Sequence, residues 1–188
     1  MLTGVILAGG LPMNSEQVEQ AHFQSSALRE CIETQVHTMS RLCSEVMVVT
    51  DYPIHLVKCF GSQIRIVTDF YQSKGPMSGL HAALSLARHK ALWIVDCRLV
   101  HISEEAGLYM YRKLLNTGSD AVVPIIKDKP HPLYAVYAKR NVDKLITLIE
   151  GGVTRIEEFL HFLKTAYITE EEAEAYHIHF EVTKCLAN

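Results

Sequence analysis

Three things are scarce in this 188-residue chain. Positive charge is not in surplus: 18 Lys and Arg against 21 Asp and Glu leave a formal net charge of −3. The basic stripe with which proteins follow a phosphate backbone is therefore missing, nucleic acid is not an expected partner, and any nucleotide here is a small ligand. The five cysteines, Cys31, Cys43, Cys59, Cys97 and Cys185, are odd in number, scattered and never spaced as CxxC. That argues against a disulfide framework and against a structural zinc site, and it fits a reducing compartment. No apolar run approaches the roughly 20 residues needed to span a bilayer, and no basic segment separates Met1 from the first glycines. The expectation is a soluble, untargeted cytoplasmic protein with no membrane partner.

The hydrophobic fraction of 48% and charged fraction of 21% are those of a globular chain, and the length suits one sizeable core. One domain over 1–188 is expected. Its most telling stretch is the first: Thr3 to Leu7 is an apolar run that ends in Ala8, Gly9 and Gly10. A buried strand feeding a glycine turn exposes bare backbone N–H groups that can face an anion. A tight strand-to-helix turn with no ligand gives the same local pattern.

Further along, Ser15 to Ser26 is polar and lacks helical spacing, which reads as a long loop, whereas Leu28, Ile32, Val36 and Met39 recur at helical intervals to about Leu42. Val46–Thr50 and Ile64–Thr68 read as strands, with a short segment to Phe60 between them. After Asp69, Gly75-Pro76-Met77-Ser78-Gly79 opens a helix, followed by a strand over Leu92–Val95. Ser103 caps the next helix, with Glu104 and Glu105 in its first turn and Gly118 just past its end. Strands at Ala121–Ile125 and Leu133–Tyr137 enclose a polar loop. A helix from Asn141 stops at Gly151-Gly152, and Thr154-x-x-Glu157 has the form of a capping box for another. Thr169 and Glu170 to Glu174 make a last short helix, and His177 to Val182 alternates as a half-buried strand.

Alternating strands and helices, with strands that are mostly solid apolar runs, predict an α/β fold: a three-layer α/β/α domain around a mostly parallel, mixed sheet. Ligands of such sheets bind at the strand carboxyl ends. Those ends are Ala8 to Gly10, Thr50 to Asp51, Thr68 to Asp69 and Asp96 to Arg98.

Val5-Ile6-Leu7-Ala8-Gly9-Gly10, Gly75-Pro76-Met77-Ser78-Gly79-Leu80 and Pro132-Leu133-Tyr134-Ala135-Val136-Tyr137 together resemble the molybdenum cofactor guanylyltransferase family. Leu148-Ile149-Glu150-Gly151-Gly152 through Phe159-Leu160 extends the likeness over nearly the whole chain. The resemblance implies a glycosyltransferase-A-like, Rossmann-related nucleotidyltransferase that uses magnesium and GTP to attach GMP to molybdopterin. It implies nucleotide contacts from Leu7, Ala8, Gly9, Gly10, Asp69, Gly75 and Gly79. Pro132, Leu133 and Tyr134 then face the acceptor.

The chain also departs from that family. In the basic phosphate loop after the glycines, Asn14 and Gln20 stand where an arginine and a lysine belong. Arg98 stands where a magnesium-binding aspartate belongs, and Phe180-Glu181-Val182-Thr183-Lys184 replaces an asparagine-bearing segment. Two absent cations forfeit charge-assisted contacts worth about 1.5–3 kcal/mol each, and an arginine repels a metal where an acid attracts it. Asp96, two residues from Arg98, is the remaining candidate for the catalytic metal ligand; it either takes that role or pairs with a neighbouring cation. Weakened or absent transfer is expected. A non-catalytic binding or regulatory paralogue, or a nucleotidyltransferase with another acceptor such as a sugar phosphate, are the alternatives.

Other polar groups have two readings each. Asp69 either satisfies local backbone N–H groups or contacts the ligand. Lys74, near a helix N-terminus, could replace lost charge. His177 and His179 read as exposed edge residues rather than a metal pair, and Lys127, Lys129 and His131 either as a solvated loop, the default, or as contacts for an anionic substrate.

Overall fold

The computed structural model describes residues 1–9, 26–51, 53–60, 64–69 and 75–182. Gly10, Asn14, Gln20, Lys74, Thr183 and Lys184, and the loop expected from Ser15, lie outside the described residues. In chain order the elements are β1 (Leu2–Leu7), α1 (Ser26–Leu42), β2 (Glu45–Val49), α2 (Pro53–Phe60), β3 (Arg65–Val67), α3 (Pro76–Leu86), β4 (Ala91–Asp96) and α4 (Glu104–Thr117). They continue with β5 (Ala121–Ile126), β6 (Lys129–Pro130), β7 (Tyr134–Ala138), α5 (Val142–Glu150), α6 (Ile156–Leu160), β8 (Thr165–Ile168) and α7 (Glu170–Ala175).

One mixed sheet runs β3-β2-β1-β4-β7-β5-β6, with β8 on β5. Pairs β3–β2, β2–β1, β1–β4 and β5–β8 are parallel, whereas β7 lies antiparallel between β4 and β5. Strand β1 shows how the sheet divides the core. Leu2 and Ile6 point to one side, into a cluster with Ile32, Met39, Trp93 and Met110; Val5 and Leu7 point to the other, with Leu80, Leu84, Leu145 and Phe159. Helices α1, α2, α4 and α7 therefore cover one face and α3, α5 and α6 the other, giving the three-layer architecture that the apolar runs predict.

Local signals account for several boundaries. Ser103 Oγ accepts from the Ala106 N–H at 3.2 Å, and Gly118 closes α4 in the left-handed region at φ 59°. Gly151 and Gly152 end α5 as expected.

Other expectations are corrected. The box expected at Thr154 does not form: α6 starts at Ile156, and its N-cap, Arg155, makes no side-chain cap bond. The box forms instead at Thr169, whose Oγ1 accepts from the Glu172 N–H while the Glu172 carboxylate accepts from the Thr169 N–H. Asn141 does start α5, as its N-cap residue, but its side chain makes no cap bond and instead donates from Nδ2 to the carbonyls of Asp120 and Ala138. The expected strand at His177–Val182 is irregular: His177 has φ 57°, Ile178 enters the core, and one bridge joins Val182 to Leu99. The unexpected strand β8 holds the place beside β5. The polar loop is a hairpin in which Lys127 and Asp128 both have positive φ, as a two-residue primed turn requires.

One buried carboxylate ties the amino ends together. Glu45, 4% exposed at its side chain, accepts from Thr3 Oγ1 at 2.8 Å, Arg65 Nη1 at 2.5 Å and the Arg88 N–H at 2.9 Å. Thr3 gives its only hydroxyl proton to Glu45, so His89 Nδ1, 3.0 Å away, donates to Thr3 Oγ1. Burial works against the Glu45 charge, yet the Arg88, Arg65 and Thr3 bonds hold its pKa below the ordinary value. Among the described residues no helix is long and apolar enough to cross a membrane, and Cys31, Cys43 and Cys97 are buried and joined in no disulfide.

Candidate functional site

Strand order reverses at β1: β2 and β3 lie on one side of it, β4 on the other. Their carboxyl ends therefore open a crevice, the usual ligand position in such sheets. The expected residues meet there. Leu7 pairs with Val49 and Asp96 in the two ladders, the Ala8 N–H donates to Val49 O at 2.8 Å, and the Cys97 N–H donates to Leu7 O at 3.1 Å. Leu7 turns its side chain into the core. Gly9 is exposed and lies against Asp51, where an added Cβ would sit 3.2 Å from Oδ2.

Helix α3 begins over the same crevice. Gly75 takes φ 61° and Pro76 the first helical position, while at Gly79 an added Cβ would come within 3.3 Å of Leu7 Cδ2. That close approach brings the helix onto β1 and β2. Asp69, two residues past the end of β3, accepts from the Ser78 side chain in the first turn of α3. Burial raises the Asp69 pKa, the Ser78 bond opposes the rise and Asp51 adds to it. The local reading of Asp69 thus has a partner in side-chain form, from Ser78.

At the end of β4, Asp96 is held on every side. Its N–H donates to Leu133 O at 2.9 Å, and its carbonyl accepts from Gln35 Nε2 at 2.9 Å. The carboxylate accepts from the Arg98 N–H at 2.8 Å, from Nε at 2.9 and 3.1 Å, and from Nη2. The guanidinium therefore spans both carboxylate oxygens in the fork geometry of strong arginine–carboxylate pairs. Asp96 also raises the Arg98 pKa further.

Beyond Asp96 lies a cavity of about 510 Å³, within the range of small-molecule sites. Pro76, Asp96, His131, Pro132, Leu133 and Phe180 contribute to its wall. Pro132 and Leu133 thus join Asp96 in one space. Tyr134 does not line it: the side chain is buried, its hydroxyl accepts from the Ser103 N–H at 3.0 Å, and its ring meets Phe180 edge-on. His131 stacks on Phe180 with centroids 3.7 Å apart, and burial lowers its pKa, so the neutral ring serves as wall at pH 7. His177 and His179 are exposed and far from this stack in role, their rings 6.4 Å apart.

Two contributors escape sequence reasoning. Gln35, fully buried on α1, donates to Asp96 O and to Leu99 O at 2.8 Å, pinning the turn that carries Arg98. A polar residue interrupting the apolar stripe of α1 is the one signal that marks it. Phe180 reaches the cavity from the irregular segment that the sequence marks by its alternation and by its place in the family pattern, but neither signal points to Phe180 as a wall residue.

A divalent cation at Asp96 needs free carboxylate oxygens and further oxygen or nitrogen donors. Both oxygens are engaged by Arg98, and among the described residues no three His, Cys, Asp or Glu side chains group as metal ligands. The residues at this position do not fit a magnesium ion.

Comparison with known proteins bears on the fold and the family. A probable molybdenum cofactor guanylyltransferase of Pelotomaculum thermopropionicum is 28% identical over 177 residues, covering 92% of this chain and 81% of that relative. A probable molybdenum cofactor guanylyltransferase of Bacillus cereus is 27% identical, covering 92% and 86%. The crystal structure of molybdopterin-guanine dinucleotide biosynthesis protein A from Archaeoglobus fulgidus superposes with a TM-score of 0.73 at 21% identity, covering 93% of this chain and 86% of that one. The fold is thus the glycosyltransferase-A-like nucleotidyltransferase fold. With that family's model matching residues 4–166, the chain belongs to the MobA-like NTP transferase domain family.

Proposed function

We propose that this protein binds a guanine nucleotide across the carboxyl ends of β1, β2 and β3 and a molybdopterin-type pterin in the cavity beyond Asp96, with GMP transfer between them weak or absent. The first half is supported by the relatives' description as molybdenum cofactor guanylyltransferases and by Gly9, Asp69, Gly75 and Gly79 converging on one crevice that continues into the Pro132–Leu133 cavity. Family chemistry implies GTP and magnesium as its requirements. The single observation behind the second half is the Asp96–Arg98 pair. Phosphoryl transfer depends on stabilising charge that develops on the transferred group, and a bound metal is a large local source of that stabilisation. Here the strand-end carboxylate already has a cation, supplied by its own chain. The protein acts as a nucleotide- and pterin-binding or regulatory paralogue in molybdenum cofactor synthesis.

Calorimetric titration of GTP, ATP and CTP with and without magnesium tests this. Guanine-selective binding that changes less than about threefold on removing magnesium is expected, because under 1 kcal/mol separates the two conditions. Asp96→Asn should leave that metal dependence unchanged. Multiple-turnover, magnesium-dependent formation of the guanylylated pterin by the unaltered protein would overturn the second half, and failure of every nucleotide to bind would overturn the first.

A further inference from the structure

At the other end of the sheet, where β1 and β4 begin, lies a second cavity of about 420 Å³. It is far from the crevice in the topology: Leu2 and Ala91 are paired at the start of their strands, and Ala138 faces Ala91 at the end of β7. Its charge is one-sided. Arg88, Lys90 and Arg140 line it together with His89, and none of the lining residues is acidic. In a chain of net charge −3 this is a local reversal.

The backbone that carries the cations is held in place, while the Arg88 and Lys90 side chains are exposed. Residues 88–90 form a segment whose backbone is fixed at both ends: the Arg88 N–H donates to the buried Glu45 carboxylate at 2.9 Å, and Lys90 O accepts from the Lys139 N–H at 2.8 Å. His89 is tied to Thr3, as described above. On the opposite wall, Arg140 donates to Asp120 Oδ1 at 2.9 Å and to the carbonyls of Gly118 and Ser119. The acids touching these cations already have other partners: Glu45 serves Thr3 and Arg65, and Asp120 serves Lys144 and the Lys164 N–H. Positive charge is therefore left over at the rim.

Apolar surface continues the wall. Leu114 and Leu115 of α4 border the cavity, and Leu115 remains 60% exposed although it is a large apolar side chain beside a cleft. Oriented cations at one side and aliphatic surface at the other match a ligand with a charged head and an apolar body. We propose that this cavity is a second ligand site, taking a small organic anion whose phosphate or carboxylate sits on the 88–90 segment and whose apolar body covers Leu115, the exposed neighbour of the buried Leu114. The site is independent of the nucleotide reading, since it shares no residue with the crevice.

Calorimetry of the full chain with phenyl phosphate and with inorganic phosphate tests the assignment. Phenyl phosphate should bind saturably with one site, about tenfold or more tighter than inorganic phosphate, and weaken as salt rises through the Debye regime. The double variant Arg88→Gln/Lys90→Gln, which keeps the backbone bond to Glu45, should weaken both ligands about tenfold or more. Leu115→Gln should lower the preference for phenyl phosphate while leaving inorganic phosphate unchanged. His131→Ala, in the other cavity, should change neither, and thermal melting of each variant confirms that it is folded. Absence of saturable binding, binding indifferent to the double variant, or binding lost in His131→Ala would each overturn the proposal.

Discussion

The two ends of the sheet use charge in opposite ways. At the carboxyl ends, the acid that the strand order brings to the crevice is neutralised within its own turn, Asp96 by Arg98. At the amino ends, a buried acid, Glu45, organises cations around itself through bonds that leave Arg88 largely in solvent, its side chain 73% exposed. The same chemical pair, arginine and carboxylate, thus occupies the acid at one end and leaves an exposed cation at the other. What differs is burial and valence: Asp96 spends both oxygens on one guanidinium, whereas Glu45 spreads its oxygens over Thr3, Arg65 and a backbone N–H.

The contrast predicts unequal costs. Glu45→Ala should have the largest effect, about 3 kcal/mol by urea unfolding, because it strips a buried acceptor from three donors at once; the same variant should also abolish phenyl phosphate binding. A loss under about 1 kcal/mol would show that the amino-end network is ornamental. Gln35→Leu should cost less, about 1 kcal/mol, since losing the bonds to Asp96 O and Leu99 O is partly offset by removing Oε1, a buried acceptor that receives no bond from the described residues. Its sharper readout is the crevice: GTP affinity should fall while phenyl phosphate affinity stays fixed.

A third effect, comparable to that of Gln35→Leu, lies at neither end and sets the pH at which the others are measured. Partial burial disfavours the Glu172 charge, but Lys113, Tyr109 and the Thr169 N–H outweigh it and hold the carboxyl at about 2. A depressed carboxylate pKa stabilises the fold above the unfolded value and loses that contribution as pH falls towards the folded one. Stability should therefore drop by about 1–2 kcal/mol between pH 5 and pH 2 from this group, after allowance for its partial exposure. Glu172→Gln should flatten that limb of the pH profile and leave the contrast between the two ends intact.

How much of this was legible in the chain divides along sequence separation. Strands β1, β2 and β4 are visible as apolar runs, and α4 as a Ser103 cap, an acidic first turn and a terminal Gly118. The crevice is legible too, since strand carboxyl ends follow from strand positions. The partner of Asp96 was not legible, although the residue itself was: a strand-end carboxylate two residues from an arginine fits an ion pair or a metal ligand equally well until the turn Asp96–Leu99 is built. Strand β8 escaped because four residues, of which only Ile168 is buried, carry too little alternation, and its register comes from β5, more than forty positions away. The capping box at Thr154 was a correct pattern in the wrong environment, as α6 begins beyond it.

What the sequence by itself determined is therefore everything set within a few residues: the apolar periods, the caps, the glycine stops and the family motifs of residues 4–166. Tertiary structure decided the rest. It inserted β7 antiparallel between β4 and β5, turned Tyr134 beneath the cavity rather than into it, and brought Phe180 onto His131 and Gln35 onto the Arg98 turn. The physical reason is that helix periods and caps are settled by neighbours three or four positions apart, whereas a buried polar group accepts whichever partner the packed layers deliver.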